Sequence, residues 1–159
     1  GIVDFVELAK RMPEYKFIWF GYSPLAAATK DVKEAVNTKL DNLVFAGYVE
    51  QKVIKEAMNG CDIYLFPTLE ETEGIPIIEA CACETNAIIR DIPIFEEWLE
   101  DGINVYKAKD VDEFEIKIKK LLNNELKPLG NKGYKVAQDR DIKKVGEQLK
   151  EVYEEVLKN

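Results

Sequence analysis

At 159 residues the chain fits one domain and is long enough to bury about two thirds of the surface its unfolded form exposes, so neither a metal nor a disulfide is required for stability. Its 22 basic and 30 acidic side chains leave a net charge of -8, which argues against a protein that embraces nucleic acid. It contains no histidine, which removes Ser-His-Asp and Cys-His nucleophiles from this polypeptide together with the commonest general base.

Ile2, Val3, Phe5, Val6, Leu8 and Ala9 recur at helical spacing, with Asp4 and Glu7 where acids suit the helix dipole, so residues 2–11 are expected to form a helix ended by Pro13. The aromatic and β-branched run Lys16 to Phe20 reads as a strand buried on both faces and closed by Gly21. Tyr22, Ser23 and Pro24 make a loop, and residues 25–40 look helical only in parts. Leu43 to Gly47 is a second strand, 51–59 an amphipathic helix, and Asp62 to Phe66 a third strand stopped at Pro67. Helices are expected at 75–84 and, briefly, 94–100, with a fourth strand over Asn86 to Arg90 between them. A short strand around Val105 and Tyr106, a helix from Val111 to Leu122, and two amphipathic helices near 129–138 and 142–157 complete the chain.

Strands of about five residues alternating with helices of about ten specify an α/β fold, a Rossmann-like parallel sheet with helices on both faces, in one domain over 1–159. Ligands bind such sheets at the carboxyl ends of the strands, where Gly21, Gly47 and Pro67 all lie. A doubly wound half normally opens with a strand, whereas this chain opens with a helix, so the first strand is expected to be lacking.

Cysteines 61, 81 and 83 are an odd number, form no C-x-x-C pair, and read as reduced, buried, small apolar residues; no metal site is expected. Lys117, Lys119, Lys120, Lys132, Lys135, Lys143 and Lys144 give residues 109–150 a positive balance, most simply as the solvated faces of terminal helices. No run of eighteen apolar residues and no signal segment is present, which makes a cytoplasmic protein the expectation.

The chemistry concentrates in Phe66 to Ala80, where an apolar strand runs into a carboxylate-rich loop and then a helix. Gly74 permits backbone conformations closed to other residues, and Pro76 suits a first helical turn, so a helix N-terminus points at whatever the loop surrounds. Its unpaired N–H groups and partial positive charge suit a phosphate or diphosphate. Glu71 and Glu79 would repel that anion directly; hydroxyls of an attached sugar are their natural donors, which points to a nucleotide-sugar. Glu79 stands among Ile75, Ile77, Ile78, Ala80 and Cys81, and a charge among such neighbours has to face a cleft or a partner. Glu70 and Glu73 read as solvated acids of the loop. Tyr48 and Trp19 read as core or cleft wall, and Arg90 with Asp91 as a local ion pair at a strand end.

Glu71 and Glu79, with Gly74-Ile75-Pro76 between them, resemble the E-x7-E signature of the GT-B retaining glycosyltransferases of family 4. Phe20-Gly21 resembles that family's glycine loop and Phe45 to Val49 its F-x-G-x-V segment, while Asp91-Ile92-Pro93 and Glu97 to Asn104 resemble a stretch ending in E-x-x-x-D-G-x-N. The wording around Glu70 to Ile75, Ile89 to Pro93 and Asn104 to Ala108 is most similar to bacterial synthases that glycosylate diacylglycerol. The resemblance implies the C-terminal, donor-binding half of a hexosyltransferase that takes a UDP-hexose, uses no cofactor besides that substrate, and works at the inner face of the plasma membrane. It implies that Glu71 contacts the transferred sugar and Glu79 the ribose. Backbone N–H groups of Thr72, Glu73, Gly74 and Ile75 would hold sugar hydroxyls and the diphosphate, with Gly21 in the glycine loop and Gly47, Tyr48 and Val49 lining the base pocket. An acceptor-binding N-terminal half and a phosphate-clamping Arg and Lys are implied outside this chain, so the fragment alone is expected to be inactive. Thr72, Glu73 and Val105 depart from the family's usual residues. A non-catalytic nucleotide or phosphosugar module and a GT-B-fold sugar-nucleotide epimerase stay open as alternatives.

Overall fold

The computed structural model describes residues 1–21 and 24–158, so the expected loop at Tyr22 and Ser23 lies outside the described residues. Helix α1 (Ile2–Arg11) presents Ile2, Phe5, Val6, Leu8 and Ala9 on one buried stripe, as its 3.6-residue spacing demands. Strands β1 (Phe17–Phe20) and β2 (Leu43–Gly47) pair in parallel, joined by a 3-10 turn (Leu25–Ala27) and α2 (Lys30–Asn37). After α3 (Gln51–Gly60), strands β3 (Tyr64–Phe66), β4 (Ala87–Arg90) and β5 (Tyr106–Ala108) form a second parallel sheet with β4 in its centre. Helix α4 (Ile75–Ala82) connects β3 to β4, and α5 (Val111–Leu122), α6 (Gly130–Asp139) and α7 (Ile142–Lys158) follow β5.

All pairings are parallel, as the alternation of elements predicts, but among the described residues they fall into two ladders rather than one sheet, with β1, β2, β3 and β5 all at edges. One hydrophobic cluster nevertheless draws on both ladders. Phe5, Leu8, Phe17 and Leu43 share it with Ile88, Tyr106, Ala108 and Phe114.

Three expectations need correction. The strands buried on both faces include β4 but not β1 and β2: Ile18 and Val44, paired in register, are 50% and 52% exposed, because α1 and α2 cover only the Phe17 and Leu43 side. The helix expected over 94–100 is only a 3-10 turn (Pro93–Phe95), after which the chain drops Phe95 and Leu99 into the core without helical continuation. Among the cysteines, all free, Cys81 is buried but Cys61 is exposed, since it caps the solvent-facing end of α3.

Small residues let α6 lie close on α4. A side chain at Gly130 would collide with the Glu84 carbonyl, and one at Gly133 would press on the Cys81 sulfur. Asn86 Oδ1 accepts from the backbone N–H groups of Leu129 and Gly130 at 2.8 and 3.2 Å, fixing the entry of α6. Three lysines of the C-terminal third are engaged locally: Lys117 with Asp101, Lys119 with Glu115 and Lys144 with Asp139. This is the pattern of solvated faces rather than of an anion-binding patch.

Candidate active site

Gly74 adopts the left-handed conformation (φ 83°, ψ 35°) and serves as N-cap of α4, with Pro76 in the first turn. The position excludes side chains for a second reason, because a Cβ there would lie 3.0 Å from Cε1 of the buried Phe95. The turn into α4 is thus set by backbone conformation and by close packing together.

Glu71 is folded over this turn. Its Oε1 accepts from the Thr72 backbone N–H at 2.8 Å, from that of Glu73 at 3.4 Å, and from the Thr72 hydroxyl at 3.5 Å. The Thr72 N–H, and behind it those of Glu73 and Gly74, hold the Glu71 carboxyl below its ordinary value against a small loss of hydration. The expectation gave these N–H groups to a donor and Glu71 to a sugar; in this structure they are bonded to each other. An anion that uses the loop has to take the place of the Glu71 carboxylate.

Glu79, half-buried on α4, accepts from Gln51 Nε2 at 3.4 Å. Gln51 opens α3 directly after the loop of Gly47, Tyr48 and Val49, so this contact brings the end of β2 beside the first turns of α4. Tyr64 opens β3 and packs against the cluster of α4 and Phe95. Burial pushes its phenol upward, and the charges of Glu79, Cys61 and Glu71 push it further.

Gly21 and Gly47 end the other two strands, both with positive φ (109° and 69°), and the Gly21 N–H donates to the Gly47 carbonyl at 2.8 Å. Among the described residues, their own chain neighbours aside, no atom lies within 4 Å of where a Cβ on either would stand, which leaves room for a ligand to approach the backbone. Tyr48 is 91% exposed and so is not part of the core, whereas Trp19 packs edge-on against Phe5 in the core. Ile75 is exposed beside Gly74, and Val49 is half-buried.

Arg90 is not paired with Asp91, as expected from their adjacency. Successive strand residues point to opposite faces, and Arg90 turns inward. There it is bonded to Asp4 of α1 and donates to the carbonyls of Lys109 and Pro67, the latter at the root of the acidic loop. Its guanidinium also lies 5.2 Å from the Phe114 ring centroid. Sequence reasoning missed this clamp, although the fully buried run Ala87 to Ile89 just before it was a signal. Gln51 and Tyr64 were missed as well, and nothing local to either residue marks it.

The segment Glu97 to Asn104 is a structural turn. Asn104 Oδ1 accepts from the Glu100 N–H at 2.9 Å, Asp101 Oδ1 accepts from the Lys107 N–H at 2.7 Å, and Gly102 has φ 73°. Among the described residues no group of three or more Cys, Asp or Glu side chains could hold a metal ion, and no helix is long and apolar enough to cross a membrane.

Two carboxylates beside a left-handed helix entry thus stand at the carboxyl end of a parallel sheet. Residues 1–140 match the family of glycosyl transferases group 1, and the chain belongs to that family. It is 42% identical over 158 residues to the processive diacylglycerol alpha-glucosyltransferase of Acholeplasma laidlawii, covering 99% of this chain and 48% of that protein. It is 27% identical over 113 residues to the alpha-galactosylglucosyldiacylglycerol synthase of Streptococcus pneumoniae, covering 69% of this chain and 30% of that protein. Among solved structures it resembles Anabaena Alr3699/HepE in complex with UDP and glucose, at TM-score 0.81 and 17% identity over 96% of this chain and 44% of that one. The chain therefore spans about half or less of each of these three proteins.

Proposed function

We propose that this chain is the donor-binding half of a retaining hexosyltransferase that moves a hexose from a UDP-sugar to a glycerolipid hydroxyl at the cytoplasmic face of a membrane. The observation that carries the reading is the left-handed entry of α4, with the Glu71 carboxylate on the N–H groups of its loop and Glu79 on the same helix within reach of Gln51. The 42% identity to a diacylglycerol glucosyltransferase supports the acceptor class, and the likeness to a fold solved with UDP and glucose agrees with the donor.

In this reading the donor's diphosphate sits over the first turn of α4 and displaces the Glu71 carboxylate from the N–H groups of Thr72 and Glu73. The released carboxylate then accepts from a hydroxyl of the hexose, and Glu79 accepts from the ribose diol in place of Gln51. The bond between the anomeric carbon and the diphosphate oxygen breaks while the acceptor oxygen bonds to that carbon and its proton passes to the departing diphosphate. Charge growing on the diphosphate is stabilised by the helix N-terminus, which needs no reorganisation at that moment. Gly21 and Gly47 leave space for the nucleoside, whose base Tyr48 covers. No cofactor enters the step.

Calorimetric titration of the chain with UDP tests the assignment. Glu79→Ala should weaken binding by about 1.5 to 3 kcal/mol, the range for hydrogen bonds to charged groups. Equal affinity of variant and parent removes Glu79 from the ribose site.

A further inference from the structure

Glu71 also lines a groove whose other residues the donor reading does not use. Leu69, Glu70 and Glu71 form one wall and Ile92, Pro93 and Ile94 the other, enclosing about 300 Å³. Leu69 is 63% exposed and Ile94 40% exposed, so two large aliphatic side chains stand open to solvent on either side of a carboxylate placed at the sugar. That volume is at the lower end for a small-molecule cleft, enough for a polar headgroup and the first methylenes of a chain but not for two whole acyl chains.

The chemistry of the lining selects the occupant. Aliphatic walls favour an apolar segment, while Glu70 and Glu71 at the head repel an anionic headgroup and accept from neutral hydroxyls. Glu70 makes no ion pair or side-chain hydrogen bond to another described residue, so its acceptor capacity is unspent. Both walls are tied to the core: Pro67, at the base of the first, accepts from Arg90, and Phe95, beneath the second, is fully buried.

We infer that this groove is part of the acceptor site: it takes the glycerol or sugar end of a neutral acylglycerol, with the first methylenes between Leu69 and Ile94 and the free hydroxyl beside Glu71. The inference rests on the donor reading above and extends it, since it gives the donor half a share in choosing the acceptor. Glu70, read from the sequence as a solvated acid, then holds the headgroup.

The test is a titration of the ¹⁵N-labelled chain with dioctanoylglycerol below its aggregation limit, with UDP-glucose titrated in parallel. Saturable amide shifts at Leu69, Ile92 and Ile94 are expected, and Leu69→Glu and Ile94→Glu should each weaken the lipid at least tenfold while leaving UDP-glucose affinity within twofold. Both side chains are exposed, so the variants should fold, which circular dichroism checks. Shifts confined to α7, whose Val145, Leu149, Val152 and Val156 are exposed, shifts nowhere, or unchanged lipid affinity in both variants would overturn the inference. Loss of UDP-glucose binding in the parent chain would instead sink the donor reading, so the two failures are separable. Dioctanoylphosphatidic acid serves as the anionic control, and binding as tight as that of dioctanoylglycerol also overturns the proposed headgroup selection.

Discussion

The two parallel ladders of this chain carry similar apolar strands and end in very different packing. In β4, Ile88 faces the cluster around α1 and α5, Ile89 faces the cluster around α4 and Phe95, and both are fully buried. In β1 and β2 Phe17 and Leu43 are buried and Trp19 and Phe45 pack half-buried on the same cluster, while their neighbours Ile18 and Val44 stand half in water. A continuous apolar run states that a strand tolerates burial on both faces, but whether it is buried depends on which other segments reach it. The acidic loop and the α4 entry grow out of the fully packed ladder, so the parts that need exact geometry are built on the rigid side. The open glycine ends of β1 and β2, where shape matters less than room, are on the other.

The largest expected effect separates the two ladders directly. Phe95→Ala removes a fully buried ring that touches Phe66, Trp98 and the site beneath Gly74, and should cost about 3 to 5 kcal/mol in chemical denaturation. Ile18→Thr on the bare face should change stability by about 0.5 kcal/mol or less. Comparable losses from the two would mean that the β1–β2 face is covered in solution, and the contrast drawn here would fall.

A smaller effect distinguishes glycines that share a positive φ. Gly47→Ala meets only the left-handed backbone penalty, about 1 to 2 kcal/mol, because the space around it is open. Gly74→Ala meets the same penalty and also drives a methyl group against Phe95, so it should cost more and should disturb the amide resonances of Thr72 and Glu73. If Gly74→Ala cost no more than Gly47→Ala, Phe95 would be yielding, and the α4 entry would be softer than its packing states.

Much of this arrangement was open to sequence reasoning, for identifiable reasons. Gly74, Pro76 and the spacing of Glu71 and Glu79 are local signals, since a left-handed turn and a helix start are decided by a few adjacent residues. The same holds for the amphipathic stripes of α1 and α7 and for the glycine ends of β1 and β2. What sequence could not supply depends on contacts across long separations. Arg90 reaches Asp4, 86 residues away, rather than its neighbour Asp91. Gln51 meets Glu79 only because α3 and α4 start at the same end of their strands. The helix expected over 94–100 failed for a related reason. Phe95 and Leu99 have helical spacing, but both are drawn into a core that the intervening turn serves better than a helix.

The smallest effect concerns Glu71 itself. A carboxyl whose folded-state pKa lies below its unfolded value stabilises the fold above the unfolded value, and that contribution is lost as the pH falls through the folded one. For Glu71 the window is acidic, beginning at the ordinary value of 4.5 and extending below it. Because the side chain is largely in contact with water, global stability should hardly register the change, and the readout has to be local. The Glu71 carboxyl carbon should titrate with a midpoint below 4.5, and the Thr72 amide proton, its 2.8 Å donor, should shift with the same midpoint. Glu71→Gln should abolish the shift at Thr72 while leaving those of amides far from the loop in place. A Thr72 amide that ignores the titration would mean that the carboxylate does not occupy the loop's N–H groups. The proposed exchange of Glu71 for the donor's diphosphate would then have nothing to displace.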